Sequence, residues 1–281
     1  MQIHPDHRET GVLAKRMCRL LGYVGPAIAL DSLLLQPPHS LMVQSYAPKE
    51  LEVALLNADG FGLGWYDAAQ VREPFTYRNV LPMWNDPNVE PLCRYITTGC
   101  ALAYVRSATP GQGVDISNCQ PFQSGNLLFT HNGYIKNFRE TLYRPMRQLM
   151  SDRVYAAIQG NTDSEHIWGL VLTALSAPSP PSLVSALGIA LGQLLALAQK
   201  YDTPVAANVL ISDGQTLIGS RVASHGRAPS LYWLSNNLQL PNAVTVASEP
   251  LFAAPWERLK EHSLFTFNAN RDLQYHPISG I

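Results

Sequence analysis

The chain has 281 residues, of which 46% are hydrophobic and only 15% are charged, and its formal net charge is -1. This is enough apolar material for one large core or two modest domains. The near balance of 20 basic and 21 acidic residues gives no electrostatic footprint for nucleic acid or an anionic membrane. We therefore expect neither of them to be a partner.

The first seventeen residues are polar and lack the apolar segment of a secretory signal. None of the four cysteines lies two residues from another, so neither a zinc knuckle nor a redox dithiol is indicated. We expect Cys93, Cys100 and Cys119 to be small apolar core residues, and we expect a reducing cytoplasm as the location.

The first half of the chain is mostly strand-like. Residues 18–24, 101–108 and 127–130 predict strands, and residues 29–35 predict a short helix that ends before Pro37. Residues 57–66 are rich in glycine, which is also typical of a phosphate-binding loop. Such a loop would open a helix, whereas this segment ends in Gly64-Trp65-Tyr66, which favours a strand.

Helices follow, and then strands return. Residues 136–150 and 162–175 predict helices, the second with the capping-box pattern Thr162-Asp163-Ser164-Glu165. Residues 183–199 are uncharged and close to the lower limit for a membrane span, but two glycines and a glutamine interrupt them, so we expect a buried core helix. Strands are expected at 205–212, 215–221, 243–247 and 264–278, the last folded about 268–272. This clustering predicts one α+β layered domain over residues 18–281.

Cys18 directly follows Met17. If the chain begins or is cut at this point, Cys18 gains a free α-amine with a pKa of about 7.7–8.0, close to neutral pH. Such an amine can remove the thiol proton without a separate base, and a thiolate is a strong nucleophile. The pattern therefore predicts nucleophilic catalysis by Cys18.

The sequence resembles the class II glutamine amidotransferases in five stretches that keep the family's order and spacing. They are Met17-Cys18-Arg19-Leu20-Leu21-Gly22, Asn57-Ala58-Asp59-Gly60-Phe61-Gly62, Arg106-Ser107-Ala108-Thr109, His131-Asn132-Gly133 and Thr162-Asp163-Ser164-Glu165. The resemblance implies a four-layer αββα sandwich of the N-terminal-nucleophile hydrolase type, with two stacked antiparallel sheets. It implies no cofactor and no metal.

Further stretches resemble the stand-alone branch of the family that hydrolyses γ-glutamyl-hercynylcysteine sulfoxide in ergothioneine biosynthesis. They are Val43-Gln44-Ser45-Tyr46-Ala47-Pro48, Leu56-Asn57-Ala58-Asp59-Gly60, residues 105–109 and Ala247-Ser248-Glu249-Pro250-Leu251. The branch implies a small γ-glutamyl substrate. Two alternatives stay open: a glutaminase or glutathione-degrading subunit that works with a separate partner, and a non-catalytic interaction module.

The resemblance also implies roles for individual residues. Cys18 is the nucleophile, while the Asn132 side chain and the Gly133 backbone N–H form an oxyanion hole. Arg106 binds the substrate α-carboxylate, since its planar fork matches two oxygens.

Asp163, helped by Thr109, accepts from the substrate α-ammonium in the same comparison. The alternative from the residues alone is that Arg106 and Asp163 form a structural ion pair, or that Asp163 only caps a helix. His131 is interpreted as a strand-end histidine that orients the turn.

Residues 1–17 are expected to be an N-terminal extension, either because Met17 is the true start or because a propeptide is removed. If the extension is retained, the amine of Cys18 is an amide and cannot act as a base at neutral pH. The sequence leaves the oligomeric state open, as a homo-oligomer or an assembly with a pathway partner.

Overall fold

The computed structural model describes residues 18–50, 56–67, 73–108, 113–267 and 270–278. Two antiparallel sheets form its centre. The predicted 1–17 extension lies outside the described residues.

The first sheet has seven strands. They are β1 (Arg19–Ala29), β2 (Phe61–Trp65), β3 (Phe75–Asn79), β4 (Thr97–Val105), β9 (Tyr232–Ser235), β10 (Val244–Ala247) and β11 (Glu257–Arg258), in the spatial order β11-β9-β10-β1-β4-β2-β3. The long strand β1 lies in the middle, between β10 and β4. Its N-terminal end, where Cys18 stands, therefore has a neighbouring strand on each side.

The second sheet has six strands. They are β5 (Phe122–Ser124), β6 (Leu127–Ile135), β7 (Val205–Ser212), β8 (Leu217–Ala223), β12 (Ser263–Phe267) and β13 (Leu273–His276), in the spatial order β13-β12-β8-β7-β6-β5. β7 and β8 are buried along their whole length, because this sheet is covered on both faces.

Three apolar cores separate four layers. Leu20, Leu102, Leu210 and Phe265 belong to the core between the two sheets. A second core packs the outer face of the seven-stranded sheet against helices α1 (Asp31–Leu34), α2 (Leu41–Tyr46) and α3 (Val89–Tyr95). A third packs the outer face of the six-stranded sheet against α4 (Tyr143–Leu149), α5 (Asp152–Ala157), α6 (Asp163–Leu175) and α7 (Leu183–Lys200). The predicted four-layer αββα sandwich is confirmed.

Several element boundaries differ from the sequence-based ones. β6 runs on through residues 131–133 to Ile135, because it pairs with β7 over that whole length. Residues 136–142 form turns rather than helix, so only α4 lies within the predicted range 136–150. The short helix α5 follows it and was not predicted. The glycine-rich segment does enter a strand, β2, as predicted. A side chain at Gly62 would meet the carbonyl oxygen of Gln120 at 2.1 Å, so the glycine permits a close approach of backbone.

Only one of the two hydrogen bonds of the predicted capping box is present at the start of α6. Thr162 is the N-cap, and its hydroxyl accepts a hydrogen bond from the Glu165 N–H at 3.2 Å. The Glu165 carboxylate accepts instead from the N–H groups of Gln159 and Gly160, at 2.8 and 2.7 Å. The helix start is therefore tied to the preceding loop as well as to its own first turn.

Helix α7 is long and apolar enough to cross a membrane by length and composition alone. Leu187, Leu191 and Leu194 on one face are buried in the core of α6 and the six-stranded sheet. The helix packs on the core as predicted, but only this face of it is buried. Cys93, Cys100 and Cys119 are buried as predicted.

The core between the sheets offers a stability test. Leu210 is fully buried there, whereas Leu238 is 99% exposed. We expect Leu210→Ala to lower the free energy of unfolding by about 2–5 kcal/mol, because it leaves a cavity. The same substitution at Leu238 should change it by less than about 0.5 kcal/mol. Urea unfolding of both variants checks this, and equal losses would contradict the assigned core.

Candidate active site

Cys18 lies immediately before β1, in the core between the sheets and only 8% exposed. Its sulfur accepts a hydrogen bond from the backbone N–H of Ser107 at 3.3 Å, and its thiol points to the Ser107 carbonyl oxygen at 3.6 Å. Ser107 follows β4, which pairs with β1 in the register Arg19↔Val105. The pairing of two central strands thus sets the position of the thiol.

Several groups act on the Cys18 thiol. Burial raises its pKa above the usual 9.0, and the negative charge of Asp163 acts in the same direction. Hydrogen bonds from the Tyr104 side chain and the Ser107 backbone lower the pKa, as does the charge of Arg106, but burial prevails. The thiol therefore needs a base if it is to react near neutral pH.

Arg106 continues from β4 beside the segment that carries Asp59. Its backbone N–H donates to the Gly60 carbonyl at 2.8 Å, and the Asp59 N–H donates to the Arg106 carbonyl at 3.0 Å. One guanidinium nitrogen lies 3.3 Å from the Asp59 carbonyl oxygen and 3.4 Å from that of Gly113. The Asp59 carboxylate accepts from the N–H of Ala108 at 2.8 Å. Two loops therefore hold this buried cation in place.

Asp163 is the first residue of α6 and is buried. Its carboxylate accepts hydrogen bonds from the N–H groups of Ile135 at 2.9 Å and Ser164 at 2.8 Å. Ile135 is the last residue of β6, so these bonds tie the start of the helix to the end of the strand. A carboxylate has about four acceptor positions, which leaves capacity for a ligand cation.

Asn132 lies within β6 and is fully buried. Its side-chain nitrogen donates to the Ser248 hydroxyl at 3.4 Å, and the same hydroxyl accepts from the Leu20 N–H at 3.0 Å. This places the amide two residues along β1 from Cys18. An amide nitrogen carries two hydrogens, so a second one remains for another acceptor.

Gly133 must be a glycine. An added side chain would lie 1.9 Å from the Ala206 carbonyl oxygen and 2.4 Å from a ring nitrogen of His131. His131 itself is not at a strand end, as the sequence had suggested, but inside β6. Its Nε2 faces the Ala206 carbonyl at 3.2 Å and its Nδ1 faces the Ser164 hydroxyl at 2.8 Å. Since a carbonyl only accepts, Nε2 carries the proton, and burial lowers the pKa of the ring.

The structure links those predicted site residues that it describes. Electrostatic interactions join Cys18 to Arg106 and Asp163, and hydrogen bonds link Asn132 to β1 through Ser248 and Asp163 to the end of the strand that carries Gly133. Thr109 lies outside the described residues. Sequence reasoning missed Tyr104, Ser107, Ser248 and Glu249, although each lies within or next to a stretch that carries the resemblance. Within the described residues, no group of three or more His, Cys, Asp or Glu side chains could hold a metal ion.

A buried ionic network lies behind Cys18. Arg19 donates to the Cys18 carbonyl at 2.9 Å and to the Glu249 carboxylate at 2.8 Å. His39 contacts the other carboxylate oxygen at 2.6 Å, and the N–H groups of Lys49 and Glu50 also donate to this carboxylate. Burial alone would raise the pKa of Glu249, but the bond to His39 and the charge of Arg19 lower it to about 2. Glu249 is therefore ionised and anchors the nucleophile's backbone.

Comparison with known proteins identifies the family of the chain. Residues 30–226 match the family model described as "Glutamine amidotransferases class-II", which is more than half of the chain. The chain belongs to this family. The range that matches the class II model begins after Cys18, and it contains Arg106, Asn132, Gly133 and Asp163.

Curated proteins similar to this chain carry a more specific name. The chain is 30% identical over 250 residues to the gamma-glutamyl-hercynylcysteine sulfoxide hydrolase of Mycolicibacterium smegmatis, covering 88% of this chain and 94% of that protein. It is 42% identical over 119 residues to the hydrolase of the same name from Mycobacterium tuberculosis (strain CDC 1551 / Oshkosh), covering 42% of this chain. That match spans 50% of the length of the M. tuberculosis protein.

A solved structure has the same architecture. The glutamine aminotransferase class-II domain protein from Silicibacter pomeroyi superimposes with a TM-score of 0.69 at 27% sequence identity. The superposition covers 93% of this chain and 99% of that one. The class II fold is therefore shared along nearly the whole chain.

The network behind Cys18 makes a stability prediction. Glu249→Gln should lower the free energy of unfolding by about 3–5 kcal/mol, because it leaves the Arg19 charge buried without its counter-ion. The control is Glu90→Gln, which breaks an exposed ion pair with Arg94 at 3.7 Å and should cost less than about 1 kcal/mol. Chemical denaturation measures both. A Glu249→Gln loss as small as that of the control would show that the network contributes little.

Proposed function

We propose that the protein is an amidohydrolase that cleaves γ-glutamyl amides through a thioester on Cys18. The observation that carries the proposal is that the buried Cys18 thiol, just before β1, interacts electrostatically with two buried charges, the Arg106 guanidinium just after β4 and the Asp163 carboxylate at the start of α6. A γ-glutamyl group presents one carboxylate, one ammonium and one amide carbonyl. These three side chains complement those three groups.

The first half of the proposed reaction begins with the α-amine of Cys18, which takes the thiol proton. The sulfur then attacks the amide carbon, a C–S bond forms, and the carbonyl electron pair moves to oxygen. Asn132 and the Gly133 N–H stabilise that oxyanion, at roughly 3–4 kcal/mol of barrier for each donor. When the carbonyl re-forms, the C–N bond breaks and the leaving amine takes the proton from the α-ammonium.

In the second half, water attacks the thioester and passes a proton to the same α-amine. The C–S bond breaks, glutamate leaves, and the sulfur takes that proton back from the α-ammonium, which restores the thiol and the free amine. Arg106 holds the substrate α-carboxylate and Asp163 the α-ammonium, and Thr109 is proposed to assist Asp163. No step needs a second acid or base.

We further propose γ-glutamyl-hercynylcysteine sulfoxide as the substrate. The relative from M. smegmatis that bears this name matches over nearly its full length, which supports the assignment. A panel of separate substrates tests this assignment: the sulfoxide compound, γ-glutamylcysteine, glutathione and glutamine. Released glutamate is measured for each of them. We expect the highest kcat/KM for the sulfoxide. A preference for glutamine or glutathione would contradict the substrate and favour the glutaminase alternative. The proposed location is the cytoplasm.

The role of the α-amine predicts a difference between three proteins. A chain that begins at Met17, and loses that methionine, should be active. Cys18→Ser in this chain should lower kcat by roughly a thousandfold or more, because a hydroxyl is far less acidic than a thiol. The chain that begins at Met1 should be inactive until it is trimmed, since its Cys18 nitrogen is an amide.

Glutamate release and intact mass, measured on the same samples, check this prediction. Hydrolysis by an untrimmed chain at the rate of the trimmed one would mean that Cys18 works without its own amine. The mechanism proposed above would then be wrong.

The role of Arg106 predicts a binding defect. Arg106→Lys replaces a bidentate fork by a point charge, and we expect KM to rise about 10- to 100-fold with a smaller change in kcat. Arg94→Lys, at an exposed position of α3, serves as the control and should leave both constants unchanged. Steady-state kinetics decide. A fall in kcat at constant KM would instead place Arg106 in the chemical step.

A further inference from the structure

Tyr104 is a buried side chain next to the nucleophile. It lies on β4 opposite Leu20 of β1, so its side chain shares a face with those of Leu20 and Cys18. In the same register Cys18 lies opposite Arg106, so Tyr104 is its diagonal neighbour on β4. Diagonal neighbours on paired strands are about 7–8 Å apart, which the long side chain of tyrosine can span. Tyr104 and Cys18 belong to the same core between the sheets.

Apolar side chains surround the tyrosine ring, while the Cys18 thiol and the charges of Arg106 and Asp163 act on its hydroxyl. Leu20, Leu102 and Leu128 belong to the same core, where a phenylalanine would fill the space without a polar atom. A buried phenol needs a hydrogen-bond partner, and the Cys18 thiol, diagonally across the strand pair in the same core, is an acceptor that interacts with it. Burial also raises the pKa of Tyr104 well above 10.0. The hydroxyl therefore keeps its proton across the working pH range and can donate it in a hydrogen bond.

The sulfur has distinct partners for its two functions. Its own hydrogen points to the Ser107 carbonyl, and its lone pairs face the Ser107 N–H. We propose that the Tyr104 hydroxyl is a catalytic group that donates a second hydrogen bond to the Cys18 sulfur and stabilises it as the attacking thiolate. This inference rests on the proposed role of Cys18 as nucleophile.

The chemistry changes no bond in Tyr104. When the α-amine takes the thiol proton, the sulfur keeps the electron pair and becomes an anion in a buried site. Two donors, the Ser107 N–H and the Tyr104 O–H, then face that anion, and the charge of Arg106 adds to them. The Asp163 carboxylate opposes them. Without the phenol, the thiolate would depend on one backbone donor and one cation.

The test measures the acidity of Cys18 directly. Iodoacetamide alkylation of Cys18, followed by peptide mass spectrometry across a pH series, gives the thiol pKa in the full chain. Tyr104→Phe should raise that pKa by about one unit, the effect of losing one hydrogen bond to a charged group. It should also lower kcat about tenfold with little change in KM.

Tyr66→Phe is the matched control. Tyr66 lies in the same core, but its hydroxyl donates to the carbonyl groups of Asn126 and Ser212 rather than to sulfur. We expect the Cys18 titration of this variant to match that of the wild type. Equal titrations for Tyr104→Phe and the wild type would overturn the proposal, as would equal shifts in both variants.

A second substitution serves if Tyr104→Phe does not fold. Replacing Tyr104 by 3-fluorotyrosine keeps the ring and makes the hydroxyl a stronger donor, so the thiol pKa should fall. An unchanged or higher pKa would overturn the proposal. The alkylation needs no substrate, so its result is independent of whether γ-glutamyl amides are hydrolysed. If the wild type releases no glutamate while the thiol shift is present, the proposed function fails and the hydrogen bond stands.

Discussion

The antiparallel pairing of β1 with β4 is the constraint on which the site depends. Its register, Arg19↔Val105, places the residue before one strand beside the residue after the other, so Cys18 faces Arg106 and Ser107. A slip of one residue would turn each of these side chains to the opposite face of the sheet. Burial of the two strands between β10 and β2 prevents such a slip.

The second sheet contributes the rest of the site across the core. Asn132 reaches β1 through the Ser248 hydroxyl, and the bond from Ile135 to Asp163 fixes the start of α6 against β6. The first connection has two hydrogen bonds and the second has one, and they hold because the elements on either side are closely packed. The charged groups that complement a γ-glutamyl substrate are thus carried by rigid elements, which preserves their spacing.

Burying ions so close to the nucleophile has an energetic cost. Arg19 and Glu249 are fully buried, and replacing such a pair by apolar residues is often neutral or stabilising in other proteins. This pair fixes the positions of backbone groups. The guanidinium donates to the Cys18 carbonyl, and the carboxylate accepts from the N–H groups of Lys49 and Glu50. Stability is exchanged here for a defined position of the nucleophile.

The sequence by itself determined the layered α+β class, the apolar helix α7 and the family, because alternation, helix caps and short motifs are local signals. It also singled out Cys18, since a cysteine after a methionine is visible without a structure. Only the tertiary structure decided that β6 continues through Asn132 and Gly133, because its pairing with β7 involves residues far apart in the chain. The interaction of Tyr104 with the Cys18 thiol is also decided only by the tertiary structure. It depends on strand register, and no local pattern records which side chain lies diagonally across a sheet.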